Sequence, residues 1–205
     1  TGSTPIGMYR EMIRDHEENG TSYRNVRTVN LDEYAGLDET SDQSYVYFMR
    51  KNLFDSLDID RKNTNIENGK AADREKECER YNALLHEMQQ SVQVLGIGSN
   101  GHIAFNEPGT PFGSETHIVD LTESTIRDNS RLFSRIEDVP RQAFTMGLKN
   151  IMNAKKIVIL ANGKNKAKAV YGLVKGPVTE QLPASVLQLH PDCTVVVDEE
   201  AASLL

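Results

Sequence analysis

The stretch that decides the fold is Val92–Pro108, VQVLGIGSNGHIAFNEP. It begins as an apolar run, Val92 to Ile97, broken only by Gln93 and Gly96. It then becomes Gly98-Ser99-Asn100-Gly101-His102 and ends with Glu107 before a proline. A buried parallel strand that feeds a glycine-rich loop has this composition. In open α/β sheets, ligands sit at the carboxyl ends of strands, where such loops gather. The pattern therefore offers Asn100, His102 and Glu107 at an active-site edge.

Other segments repeat the strand-then-turn design. Lys156 to Leu160 (KIVIL) reads as a second apolar strand, followed by Ala161-Asn162-Gly163-Lys164-Asn165-Lys166 and a helix to about Lys175. Lys164, Lys166 and Lys168 are each either an anion ligand or a solvated lysine. Val26 to Leu31 (VRTVNL) reads as a strand that delivers Asp32 at its carboxyl end, where the carboxylate can face a ligand cleft; the alternative is that Asp32 or Glu33 only caps a turn. Ala143–Met146, Ile118–Leu121, Ser185–Leu189 and Thr194–Val197 read as further short strands.

Between them the helical period recurs over Ser44–Leu57, Asp73–Gln90 and Thr122–Phe133, the last carrying Arg131 near its end. Asp58–Ala72 is polar and irregular, and Gly109 to Gly113 (GTPFG) is a loop that suits a lid. At the start, Thr4 reads as an N-cap and Pro5 as the first residue of a helix that ends at Gly20. Gly2, Ser3 and Thr4 make either a plain helix start or an anion site, because free N–H groups and the positive dipole end face one point there.

Strands alternating with helices predict a mainly parallel sheet with helices on both faces, in a single domain over residues 1–205. Gly96–Gly101 has the letters of a dinucleotide fingerprint. The following residues reach Pro108 too soon for the long helix that fingerprint needs, so no nicotinamide cofactor is expected. The net charge of -7 and pI near 5.3 argue against a nucleic-acid partner. No run of 18 apolar residues predicts a membrane span, no signal peptide is visible, and the expected location is the cytoplasm. Two cysteines, Cys78 and Cys193, are too few for a disulfide framework and are read as reduced thiols. The chain opens on Thr1 with no strand before its loop, so the domain is expected to lack an N-terminal strand and helix.

Four segments together resemble the glucosamine-6-phosphate deaminase (isomerase) family: Thr1–Pro5 (TGSTP), Asn30–Tyr34 (NLDEY), Gly101–Pro108 (GHIAFNEP) and Leu187–Pro191 (LQLHP). The related 6-phosphogluconolactonases lack the Asn-Glu-Pro ending and the Asp-Glu-Tyr. The resemblance implies a modified Rossmann-like three-layer α/β sandwich. It implies a hydrolase that converts glucosamine 6-phosphate and water into fructose 6-phosphate and ammonia, with no metal and no organic cofactor. It assigns ring opening to His102 with Glu107, proton abstraction at carbon 2 to Asp32, and phosphate binding to Gly2, Ser3, Thr4, Arg131 and Lys166.

Two departures from the family pattern stand out. Many members carry aspartate where this chain has Asn100, whose side-chain oxygen can accept a hydrogen bond from the imidazole but cannot balance an imidazolium charge. The positions that bind an activating amino-sugar phosphate in hexameric members are Thr110, His117, Val119 and Asp120 here. Most phosphate donors are gone, and Asp120 would repel an anion. No such activation is expected, and the expected state is a monomer or small homo-oligomer.

Overall fold

The computed structural model describes residues 1–130, 133 and 135–205. The chain forms two compact units, Thr1–Glu77 with Ile118–Phe144, and Cys78–His117 with Thr145–Leu205. The class is α/β, as the alternation of periods predicts.

In the first unit, α1 (Ile6–Asn19) ends on Gly20 in the left-handed conformation, with φ 71°. Its start differs from the expected cap by one residue. Pro5, not Thr4, occupies the cap position at φ -81° and ψ -3°, and no side chain caps it. Instead the amide of Ile6 donates to the Ser3 carbonyl at 3.3 Å. The strand expected over Val26–Leu31 shrinks to β1 (Thr28–Val29), and Asp32 opens a separate strand, β2 (Asp32–Tyr34). Helix α2 (Tyr45–Asn52) starts where Ser44 accepts the Tyr47 amide through its hydroxyl. A core of Tyr9, Met49, Leu53, Phe54 and Ile59 packs these helices together, with Met12 and Ile13 at its margin. Strand β1 pairs in parallel with β3 (Thr64–Asn65). A second ladder of this unit has the order β2-β6-β5, with β5 at His117–Asp120 and β6 at Gln142–Thr145. Helix α4 covers Glu123–Ser130.

The second unit is built on β4 (Val92–Gly96), β7 (Lys156–Ala161) and β8 (Cys193–Val197). All three are parallel, in the order β4-β7-β8, with Leu95 opposite Ile159 and Ile159 opposite Val195. Most of α3 (Arg74–Met88), together with α5 (Leu148–Met152) and α6 (Ala167–Lys175), belongs to this unit. Leu95, Ile157, Ile159, Val170 and Leu173 are buried in its core. Strand β4 is not buried throughout. It alternates, with Val92 53% exposed and Gln93 buried at 6%. The period of two, not the hydropathy of each residue, decides which side chain faces in.

The expected strand at Ser185–Leu189 is instead part of a 3-10 helix over Pro183–Leu189. Pro183 presets a helical φ at its first position and has no N–H to give a strand ladder, and Pro183 through Leu187 are buried in succession. Among the described residues, no helix is long and apolar enough to cross a membrane.

Candidate active site

The loop after β4 is held by its own backbone. The Gly98 amide donates to the His102 carbonyl at 2.9 Å, and the Gly101 amide to the Gly98 carbonyl at 3.0 Å. Gly101 needs its φ of 87°, which side chains disfavour. At Gly98 the requirement is space, since a Cβ would lie 2.4–2.6 Å from the His102 ring atoms. Beyond His102 the chain dives into the core. The Phe105 amide donates to the Thr145 hydroxyl at 3.0 Å, and the Asn106 side-chain amide donates to the carbonyls of Ile103 (3.0 Å) and Met146 (2.9 Å). Ile103 and Asn106 are fully buried. A rigid base therefore presents the half-buried His102 and Glu107.

Asn100, His102 and Glu107 come together as the sequence pattern expected, but Asn100 uses different partners. Its Oδ1 accepts the backbone amide of His102 at 3.1 Å, and its Nδ2 donates to Glu107 Oε2 at 2.7 Å. The imidazole Nδ1 is buried, lies 3.5 Å from the same Glu107 oxygen and has no hydrogen-bond partner among the described residues. Asn100 thus aims Glu107 at the ring instead of binding the ring itself. A carboxyl and an imidazole at this separation can relay a proton once a substrate hydroxyl draws them in.

Asp32 is described with the first unit. It is 7% exposed, and its charge reaches Tyr9 on α1, the helix that follows the expected phosphate loop. The alternative roles of the two carboxylates separate here. Glu33 is the capping group. It accepts the amides of Tyr34 (2.8 Å), Tyr45 (2.9 Å) and Val46 (3.1 Å), across the start of α2. Burial nevertheless pushes its carboxyl up to about 7, against those hydrogen bonds. Glu67 is also buried, and neither of its oxygens has a hydrogen-bond partner of sound geometry among the described residues. Burial first, then the charges of Asp32, Glu33 and Glu77, hold it well above the usual carboxylate range, with its own backbone amide the main opposing influence. Burial likewise raises Tyr9 to about 12.

Of the expected phosphate ligands, Gly2, Ser3 and Thr4 are exposed ahead of the uncapped start of α1. Arg131 lies outside the described residues. Lys166 is half-buried at the N-terminal boundary of α6. In the turn before it, the Gly163 amide donates to Asp198 (2.9 Å) and the Lys164 amide to Glu200 (3.3 Å). Those two amides are committed, so an anion here would depend on side chains. Among the described residues, no group of three or more His, Cys, Asp or Glu is arranged to hold a metal ion.

The family described as glucosamine-6-phosphate isomerases/6-phosphogluconolactonase matches residues 1–196. The chain belongs to this family. It is 52% identical over 205 residues to a glucosamine-6-phosphate deaminase of Streptococcus pneumoniae, covering all of this chain and 85% of that one. To a glucosamine-6-phosphate deaminase of Clostridium perfringens it is 50% identical over 206 residues, with the same coverage. A solved monomeric glucosamine-6-phosphate deaminase, described as the missing link of the NagB superfamily, superposes with a TM-score of 0.98 at 48% identity, over 100% of this chain and 86% of that one. The 6-phosphogluconolactonase of Trypanosoma brucei shares the fold, with a TM-score of 0.78 at 21% identity, over 100% and 83% of the two chains. The mixed α/β architecture with parallel ladders agrees with the Rossmann-like three-layer fold expected for this family.

Proposed function

We propose that this chain deaminates and isomerises glucosamine 6-phosphate, giving fructose 6-phosphate and ammonia. One observation carries the reading most: Asn100 holds the Glu107 carboxylate beside His102 on a loop closed by its own backbone hydrogen bonds. The substrate arrives as a closed ring. Opening it requires loss of the anomeric hydroxyl proton and arrival of a proton at the ring oxygen. His102 moves that proton, because an imidazole has one nitrogen to accept a proton and one to donate, and Glu107 keeps the imidazole oriented. Asp32 then removes the proton at carbon 2 and returns one to carbon 1, leaving an imine at carbon 2. Water adds to that carbon and ammonia leaves, which makes the reaction hydrolytic in its balance. Gly2, Ser3, Thr4, Arg131 and Lys166 bind the phosphate, and this anchoring lowers the entropic cost of both steps.

The enzyme is further proposed to act in the cytoplasm, as a monomer or small homo-oligomer. We also propose that amino-sugar phosphates do not activate it. Thr110 already donates its hydroxyl to the Glu107 carbonyl at 2.7 Å, and Asp120 accepts the Gln142 amide at 2.7 Å. A fall in half-saturation on adding N-acetylglucosamine 6-phosphate would refute this. The reaction itself is tested by following ammonia and fructose 6-phosphate release from glucosamine 6-phosphate. Stoichiometric release of both is expected. Hydrolysis of 6-phosphogluconolactone with no ammonia from the amino sugar would overturn the assignment.

A further inference from the structure

The catalytic loop has a second set of supports outside its own sequence. Four residues, Thr179 to Leu182, form a tight turn between α6 and the 3-10 helix, closed by a bridge between Thr179 and Leu182. Ser185, fully buried, braces the start of this turn: its hydroxyl accepts the Thr179 amide at 2.8 Å and donates to the Thr179 carbonyl at 3.0 Å. The braced turn touches the loop near both ends. At the front, the Leu182 side chain fills the space that a Cβ on Gly101 or Gly172 would need, 2.6 and 2.5 Å away, and the Ala184 amide donates to the Gly101 carbonyl at 2.9 Å. At the back, Glu180 receives two amides of the segment that follows Glu107. Its carbonyl accepts from Gly109 at 2.7 Å, and its carboxylate accepts from Phe112 at 3.1 Å.

We propose that the Thr179–Leu182 turn is a clamp that positions the His102–Glu107 loop, with Leu182 acting through Gly101 and Glu180 through Gly109 and Phe112. Neither residue is catalytic. Leu182 fixes where the loop leaves Gly101, one residue before His102. Glu180 fixes the GTPFG segment two residues after Glu107. Because the loop is gripped on both sides of the His102 and Glu107 pair, a slack clamp should misplace the reacting groups while leaving the phosphate anchors intact. Displacements of about 1 Å at a reacting group commonly cost on the order of 100-fold in rate.

The proposal rests on the deaminase reading for its kinetic arm and is independent of it for its structural arm. In the kinetic arm, Leu182→Ala is expected to lower kcat by roughly 10- to 100-fold with KM for glucosamine 6-phosphate changed by less than about 2-fold. Glu180→Ala is expected to give a smaller fall in kcat, and Glu180→Gln, which keeps an acceptor for the Phe112 amide, to restore it. In the structural arm, amide hydrogen exchange is followed over residues 98–112. Exchange there should quicken in Leu182→Ala and Glu180→Ala, and not in Glu180→Gln, while β7 stays protected. Unchanged exchange over 98–112 in both alanine variants would overturn the clamp, as would a loss confined to KM. If the wild type released no ammonia, the deaminase reading would fail and the exchange result would still decide the clamp. The Glu180 side chain is exposed, so its variants decide the matter even if Leu182→Ala does not fold.

Discussion

Around His102 the groups that hold the loop backbone in place are neutral: glycine amides, the Asn100 carboxamide and the Thr145 hydroxyl, while the Glu107 carboxylate lies beside the imidazole. Around Asp32 they are ionisable and buried: Glu33, Glu67 and the phenol of Tyr9. The first region resembles a folded peptide scaffold, whose shape hydrogen bonds maintain at any ordinary pH. The second is a pocket of carboxyls whose protonation depends on one another, because each ionisation raises the cost of the next. Under the proposed mechanism, a loop that transfers protons to a sugar ring needs a fixed geometry.

The comparison can be broken most directly at the two proton-transfer groups. Asp32→Asn should lower turnover by roughly 1,000-fold, and His102→Gln by about 100-fold, as measured by ammonia release at saturating substrate. Near-normal rates in either variant would remove that residue from the chemistry. Gly98→Ala should cost about 10-fold in kcat with the melting temperature little altered, since a methyl there must push the imidazole aside. A normal rate would mean that the ring position is not critical.

Asn100→Asp sharpens the contrast by making the neutral region ionic. It sets a carboxylate where an amide now donates to Glu107 at 2.7 Å, so two like charges share the spot and one carboxyl must rise. The extra negative charge also favours an imidazolium. The His-linked limb of the pH–rate profile should therefore move upward. No movement would sink the electrostatic account.

The smallest effect concerns stability. Glu33 has its carboxyl raised in the folded protein from 4.5 to about 7, so the folded state binds more protons than the unfolded state between those values. Stability from this group is complete below about 4.5 and is lost as pH rises through about 7. The loss is on the order of 3 kcal/mol at most. Glu67 acts in the same direction. Urea denaturation between pH 5 and 8 should show stability falling as pH rises, and Glu67→Gln should flatten the fall. Equal slopes for wild type and variant would mean that Glu67 is not protonated in the folded protein.

Much of the site was legible in the chain itself. The glycine turn after an apolar strand offered Asn100, His102 and Glu107 as a local design, whereas Asp32 was singled out only through the NLDEY resemblance. The helix periods also survived, with ends shifted by a few residues. Strand reading failed at Ser185–Leu189, where Pro183 and continuous burial favour a 3-10 turn. It was misleading at Val92 and Gln93, where pairing decided the facing.

The sequence by itself determined the α/β class and the parallel character of the strands, since both depend on periods within short windows, and it singled out the candidate side chains through the motifs shared with the family. Only the tertiary structure decided that Asn100 serves Glu107 instead of the imidazole, that Glu33 caps a helix starting at Tyr45, and that Leu182 fills the space before Gly101. Those relations join positions 7 to 81 residues apart or share one acceptor among several donors. No local propensity encodes them, and only packing selects one partner from the many a polar or apolar side chain could take.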